Sequence, residues 1–497
     1  MPRPERPVPR VVYLVGNDIE NDARVRKYLR SAVDAGFDVA IVGLSTSGHD
    51  DELVLDGARA IRCAVARPTS PPAVKPGVAA VPKARPRTGW LAVQRRRVRS
   101  LPRRFDQLLR RAGRPRSLRP PQQPEPGSLS KEQQLAIYLA DPDQARWRDV
   151  LPELQRYEEV LGPVLDELDG DLLHAHDVFL LGVAVNAAER ARARDHDRAV
   201  PVIYDAHEYL PGLAGPPART TAAFVDHERE YLPRVDRVIT VSDPIADELQ
   251  RVFGLEHRPS LVINAPIIDP PTPDAPSVRS AAGITDDAPI VLYGGGLAHA
   301  RGVHTVVEAL PQIPGAHLVV VSRAPSHYTR ELQALAAALG CADRYHEVGF
   351  VDSTQVVTYF TSATVGITPL LHAGNHDWAL TNKFLEYIHA GLPVVTSDTE
   401  VQDRLVRELG IGEVFVAGDV DGCAAAVRAV LADLERYREP LRDPELLNRL
   451  SWPAQADVFL GLYRELLGPV AARGADPVAG DVTLDGSPSP RRSGTSL

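Results

Sequence analysis

The sequence predicts an α/β protein built from two Rossmann-like domains with parallel sheets and a cleft between them. Three observations lead there. A chain of 497 residues is too long for one hydrophobic core. An apolar strand pattern ending in glycine, then a helix and a second strand, occupies residues 11–44. The same order returns at residues 290–321. A crossover helix brings the chain back to start the next strand in the same direction, so such units build parallel sheets.

The elements follow in order. Val11-Val12-Tyr13-Leu14-Val15 is an apolar run closed by Gly16; a helix is expected over 22–35, stopped by Gly36, and a strand over 39–44. Further strands are expected at 172–175, 202–205 and 237–241. Asp269-Pro270-Pro271-Thr272-Pro273 has the composition of a linker. The second unit opens with Ile290-Val291-Leu292-Tyr293 and three glycines, Gly294, Gly295 and Gly296. A helix over 303–310 and strands at 317–321, 345–348, 365–367 and 394–395 complete it. An apolar helix at 455–467, after Trp452-Pro453, is expected to pack back across the junction. The division is therefore 1–270, 271–450, a helix at 451–468 and a disordered tail at 469–497.

Composition narrows the class. Hydrophobic content of 44% with 24% charged residues fits an ordinary globular protein. No apolar run approaches the roughly 18–20 residues that cross a bilayer, and residues 11–15 are too short for a signal peptide. Cys63, Cys341 and Cys423 lie far apart with no metal-ligand spacing, so a reducing cytoplasm is expected. Charge is uneven. Residues 67–119 hold 16 Lys/Arg and one acid, Asp106. That stretch carries +15, leaving −24 elsewhere in a chain whose total is −9. It is also proline-rich, so a disordered basic insertion is expected over about 67–130. An anionic membrane surface is its expected partner, with an inert solvated linker as the alternative. Nucleic acid is not expected, because no recognition fold accompanies the charge.

The most informative segment is 381–395. Thr381 suits an N-cap, Gly391 ends the helix and Pro393 prevents it restarting. Asn382 and Lys383 fall in the first turn, where free N–H groups and a cation suit a phosphate. Glu386 lies three residues on, on the same face, placed to accept hydrogen bonds from ribose hydroxyls. The plainer reading is an amphipathic helix with a surface Lys–Glu pair.

Other strand ends gather polar residues. Gly295 and Gly296 allow close backbone approach to a ligand, and Arg301 follows as a clamp on a diphosphate or as a solvated side chain. His207 follows the 202–205 strand, where open parallel sheets bind ligands. Asp205 and Glu208 flank it, either one orienting the ring or capping the next element. His174, His176 and Asp177 form a second strand-end cluster. It reads as cleft lining; as a metal site it lacks a third ligand with clear spacing. Gly16, Asn17 and Asp18 follow the first strand, and Asn21 or Asp22 caps the helix that carries Arg24. Arg24 is a phosphate or carboxylate contact, or an exposed helix residue.

Taken in order, these residues resemble the retaining glycosyltransferases of the GT-B fold, of the group 1 and family 4 type. The resemblance covers about 11–66 and 136–467. It rests on Tyr204-Asp205-Ala206-His207-Glu208, Val235 to Ser242, Asn264-Ala265-Pro266, Tyr293 to Leu297 with Arg301-Gly302-Val303, and Asn382 to Tyr387 with Ala390 to Val395. It implies that His207 contacts the transferred sugar and that the Gly16-Asn17-Asp18 loop lies beside sugar and acceptor. It also implies that the loops at Ser322-Arg323 and Gly349-Phe350 hold the nucleobase through backbone groups. Two departures stand out. Gly296 occupies a place where the family often has arginine, and Trp378 one where it often has a glutamate touching the donor sugar.

The expected activity is metal-independent hexosyl transfer from a UDP- or GDP-sugar to a hydroxyl of a glycan or lipid-linked acceptor, with no cofactor beyond the donor. The C-terminal domain would hold the donor and the N-terminal domain the acceptor, in the cytoplasm or on the inner membrane face. Catalytic roles fall to His207, Arg301 and Lys383. The rivals are a sugar-nucleotide epimerase of the same architecture and a non-catalytic sugar-nucleotide-binding protein.

Overall fold

A computed structural model describes residues 7–20, 22–65, 129–268, 270, 275–322 and 326–468. The basic insertion, the tail and Arg323 lie outside the described residues. The N-terminal sheet contains β1 (Arg10–Val15), β2 (Asp38–Leu44), β3 (Asp51–Leu55), β4 (Ala58–Cys63), β5 (Leu172–His176), β6 (Val202–Ala206), β7 (Arg237–Thr240) and β8 (Ser260–Leu261). Their order across the sheet is β3-β4-β2-β1-β5-β6-β7-β8. All pairings are parallel except β3 with β4.

The second sheet contains β9 (Ile290–Gly294), β10 (His317–Val321), β11 (Tyr345–Val348), β12 (Val365–Thr368), β13 (Val394–Ser397) and β14 (Gly412–Phe415). Its order is β11-β10-β9-β12-β13-β14, parallel throughout. In each sheet the winding direction reverses beside the first strand, between β1 and β5 and between β9 and β12. Ligands of open parallel sheets sit outside the carboxyl ends of the strands at such a reversal.

The central strands are buried on both faces. Val11 to Leu14 and Ile290 to Leu292 are at most 1% exposed, which explains their continuous apolar runs. The β3–β4 hairpin is an addition to the sequence reading. Asp56 and Gly57 both take positive φ, 50° and 82°, the requirement of a tight two-residue turn. Its signal, Asp-Gly between alternating residues, was present in the chain.

The final helix, Trp452–Leu467, starts earlier than its apolar pattern suggests because Pro453 is accepted in the first turn. It leaves the C-terminal domain and packs on the N-terminal one. Trp452, Phe459 and Tyr463 share a core with Tyr13, Tyr28 and Leu29. Trp452 Nε1 donates to Ser31 Oγ at 2.9 Å, and Tyr463 Oη donates to Tyr13 Oη at 2.7 Å. Gln455 ties the returning chain to the outgoing one. Its Oε1 accepts from Ile263 N at 3.1 Å and its Nε2 donates to Arg449 O at 3.0 Å.

Candidate active site

Three cavities meet between the sheets, and Asn382 lines all of them. The first, about 380 Å³, lies at the C-terminal domain's reversal point and is lined by Gly295, Gly296, Arg301, Thr381, Lys383 and, from across the cleft, Glu208. The loop here is forced by packing. Gly302 has φ +70°, and a Cβ at that position would sit 1.7 Å from Pro369 O. Tyr387 Oη accepts from Gly294 N at 2.8 Å and fixes the end of β9. Burial raises the Glu208 carboxyl, helped by Asp177 and opposed by His207 and Arg301.

The second cavity, about 420 Å³, brings Phe350, Val351 and Glu386 opposite Arg26, Lys27 and Asn264. The Asn382–His389 helix is capped by Thr381, whose side chain accepts from Phe384 N. Lys383 Nζ and Glu386 Oε2 are 2.7 Å apart, with side chains only 17% and 12% exposed. This is a cleft pair and not the solvated surface pair of the plainer reading. The ammonium also lies 4.7 Å from the Phe350 ring centre. Burial raises the Glu386 carboxyl, while Lys383 and Lys27 oppose that rise.

Sequence reasoning missed Lys27. It sits one turn after Arg24, and its ammonium donates to Asn264 Oδ1 at 2.6 Å and to Ala265 O. It also lies 4.5 Å from the Trp452 ring centre. Burial pushes it down to about 7. The available signal was its spacing from Arg24 on one helix face.

The third cavity, about 490 Å³, is lined by Asn17, Asp18, Asp22, Arg24, His207 and Asn264. Asn17 and Asp22 also build the loop. Asn17 Oδ1 accepts from Ile19 N at 2.8 Å, and its Nδ2 donates to Asp22 Oδ2 at 2.8 Å. Asp22 is the N-cap of the Ala23–Asp34 helix. Ile19, at φ 70°, and Asp177, at φ 67°, hold strained backbone beside the N-terminal reversal point. Gly16 is a packing residue, since a Cβ there would lie 2.7 Å from Phe179 Cβ.

Behind His207 lies a buried polar network. Arg24 grips Asp205 with two prongs, Nε to Oδ2 at 3.0 Å and Nη2 to Oδ1 at 2.9 Å. Asp205 Oδ2 is also 3.3 Å from His176 Nδ1 and 3.3 Å from His207 Nε2. Burial alone would raise the Asp205 carboxyl, but Arg24 and the two histidines outweigh it and hold it well below the usual range. Breaking such a buried pair by removing one partner costs about 3–5 kcal/mol. His174 stacks on His176 with ring centres 4.4 Å apart, and its Nδ1 lies 2.6 Å from Tyr463 Oη. Burial pushes both of these histidines down. Burial also works against the His207 cation, but Asp205 offsets it and raises that group.

The structure corrects the placing of His176 in the cleft. It is 1% exposed and faces the core, because the β5–β6 register pairs it with Asp205 inside the sheet. Arg24 meets a carboxylate, but that of Asp205. His174, His176 and Asp205 have ligand atoms within 4.8 Å of one another. Arg24 already holds both Asp205 oxygens, so its fixed positive charge opposes a cation there. Ser322 follows β10 and donates its N–H to Val348 O at 3.2 Å, while Gly349 joins β11 to Phe350. Trp378 packs on Tyr209 of the N-terminal domain, ring centres 4.7 Å apart.

Two family models match the chain, Glycosyltransferase Family 4 over residues 133–267 and Glycosyl transferases group 1 over residues 288–433. One falls in each sheet domain, and the chain belongs to these GT-B glycosyltransferases. The D-inositol 3-phosphate glycosyltransferase of Geodermatophilus obscurus is 27% identical over 328 residues, covering 62% of this chain and 70% of that one. Among solved structures, sucrose-phosphate synthase from Thermosynechococcus elongatus superposes with a TM-score of 0.62 at 17% identity, covering 92% of this chain and 99% of that one. Anabaena Alr3699/HepE in complex with UDP-glucose gives 0.54 at 15% identity, covering 92% and 99%. At such identities the likeness is one of fold.

Proposed function

We propose that this glycosyltransferase is retaining and metal-independent. It moves a hexosyl unit from a nucleotide diphosphate sugar to a hydroxyl of a glycan or lipid-linked acceptor. The observation that carries this reading is the convergence of three cavities on Asn382, with Arg301 and Lys383 in one, Glu386 in the next and His207 in the third. Arg301, Lys383 and the N-terminus of the Asn382–His389 helix take the diphosphate, where negative charge grows as the sugar leaves. Glu386 takes the ribose, the Gly349-Phe350 loop takes the base, and His207 faces the sugar.

The bond from the sugar's anomeric carbon to the diphosphate oxygen breaks. A bond from that carbon to the acceptor oxygen forms on the same face. The acceptor's proton passes to the departing phosphate oxygen, so no carboxylate nucleophile is required. Two cations beside the diphosphate take the place of a metal. UDP-glucose is the first donor to test, since Alr3699/HepE is described in complex with it. The proposed location is the cytoplasmic face of a membrane; among the described residues no helix is long and apolar enough to cross one.

The test is a thermal-shift series with UDP, GDP and ADP sugars, since a ligand of the native state raises Tm. Incubation with the labelled donor that binds, and an acceptor mixture, follows. The expected product keeps the donor's anomeric configuration by NMR. An isomerised donor without transfer would indicate an epimerase, and binding without turnover a binding protein.

A further inference from the structure

The reading of His207 as the sugar contact leaves open what aims its ring. Asp205 cannot turn, because three hydrogen bonds fix its partner. Besides the two prongs on the carboxylate, Arg24 Nη2 donates to Tyr28 Oη at 3.2 Å. The direction of Asp205 Oδ2 is therefore set by the Ala23–Asp34 helix. His176 Nδ1 and His207 Nε2 each lie 3.3 Å from that oxygen and 3.3 Å from one another, so the carboxylate and the two rings form one close cluster. His176 is sealed in the core, whereas the His207 side chain is 19% exposed and lines the third cavity. Of the two histidines, His207 is the one that meets the cleft.

We propose that Asp205, clamped by Arg24, is a positioning residue that turns His207 Nε2 inward and fixes which ring edge meets the transferred sugar. This rests on the proposed role of His207. The charged and titratable groups around His207 are Asp205, Arg24, His174 and His176 on the buried side, with Asp177 and Glu208 at the strand ends. Asp205 is the carboxylate among them that contacts the His207 ring at 3.3 Å. As the charged neighbour of Nε2 it favours a proton on that nitrogen and so eases protonation of the ring.

Asp205→Asn keeps the side chain's shape and removes its charge. The full chain, with isotope-labelled histidine, is titrated by NMR, and His207 is assigned as the signal missing from His207→Gln. In Asp205→Asn the His207 midpoint is expected to fall by about one pH unit or more. Turnover is expected to fall about 10²-fold, the scale of a misplaced contact at a reacting centre. Donor Kd, set by the other domain, is expected to change by less than about twofold. A lower Tm with an unmoved His207 midpoint would show a merely structural role and overturn the proposal. If Asp205→Asn does not fold, Arg24→Lys keeps the charge and loses the two-pronged grip. It is expected to shift the midpoint and lower turnover, and no change in either would be equally fatal. The titration needs no substrate. A chain without transfer activity would sink the role of His207 while the NMR still decides what aims its ring.

Discussion

Replacing Glu386 by alanine is expected to weaken donor binding by about 10- to 10²-fold. The magnitude follows from what the carboxylate does in the cleft. It lies one turn inside the Asn382–His389 helix, 12% exposed, with one oxygen 2.7 Å from Lys383. A ribose diol would add hydrogen bonds to a charged acceptor, and losing those costs about 1.5–3 kcal/mol. Alanine has a second effect of opposite sign, because Lys383 is released and its charge becomes available to the diphosphate. The two effects separate in a cycle measured by calorimetry. UDP and an analogue lacking both ribose hydroxyls are each titrated into wild type and Glu386→Ala. Removing the hydroxyls should weaken wild type by the factor above and leave the variant nearly unaffected. If the variant distinguishes the two nucleotides as well as wild type does, Glu386 is not the ribose contact.

Four further outcomes are expected. Arg301→Ala and Lys383→Ala should each lower kcat by about 10²–10³-fold, the scale of a lost transition-state donor; full turnover in either would end the two-cation clamp. Activity should survive EDTA, and a complete loss restored by a divalent ion would contradict metal independence. Burial raises Glu228 to about 8, with Tyr204 Oη donating to it at 3.0 Å. Its folded pKa lies above its unfolded value, so the folded chain holds an extra proton between about 4.5 and 8 and loses stability as pH rises through that window. Glu228→Gln should flatten this fall in Tm, and an identical pH profile in both proteins would refute the assignment. The full chain should co-sediment with anionic vesicles at low salt and a chain lacking 67–119 should not, since clustered cations contribute about 1 kcal/mol each near such a surface. Equal binding of both would remove the segment as an anchor.

What the sequence made legible is what short spacing encodes. The strand-to-glycine starts at Val11 and Ile290 and the capped helix from Thr381 to Gly391 need only neighbours within a few turns. Pairings that depend on tertiary approach left no such trace. Arg24 and Asp205 are 181 residues apart, Lys27 and Asn264 are 237 apart, and Tyr13 and Tyr463 are 450 apart. His176 and His207 looked equivalent as strand-end histidines. Register separates them, since His176 is still inside β5 while His207 lies just past β6. The β14 strand leaves little signal, because Gly-Glu-Val-Phe is short and only Phe415 in it is buried.

The chain crosses between its two domains twice, once outward past Ile263 to Ala265 and once back at Arg449 to Trp452. Gln455 binds the two crossings together, and the Lys27 ammonium touches both, at Asn264 and at the Trp452 ring. Two adjacent crossings joined in this way fasten the domains together along one side of the cleft. The place where Tyr209 meets Trp378 is fastened as well: Asn375 Oδ1 accepts from Tyr209 N at 3.1 Å, and a Cβ on Gly374 would lie 2.2 Å from Gly212 O. The cleft is thus clasped on two sides, and His207, Arg301 and Lys383 line the space between the clasps.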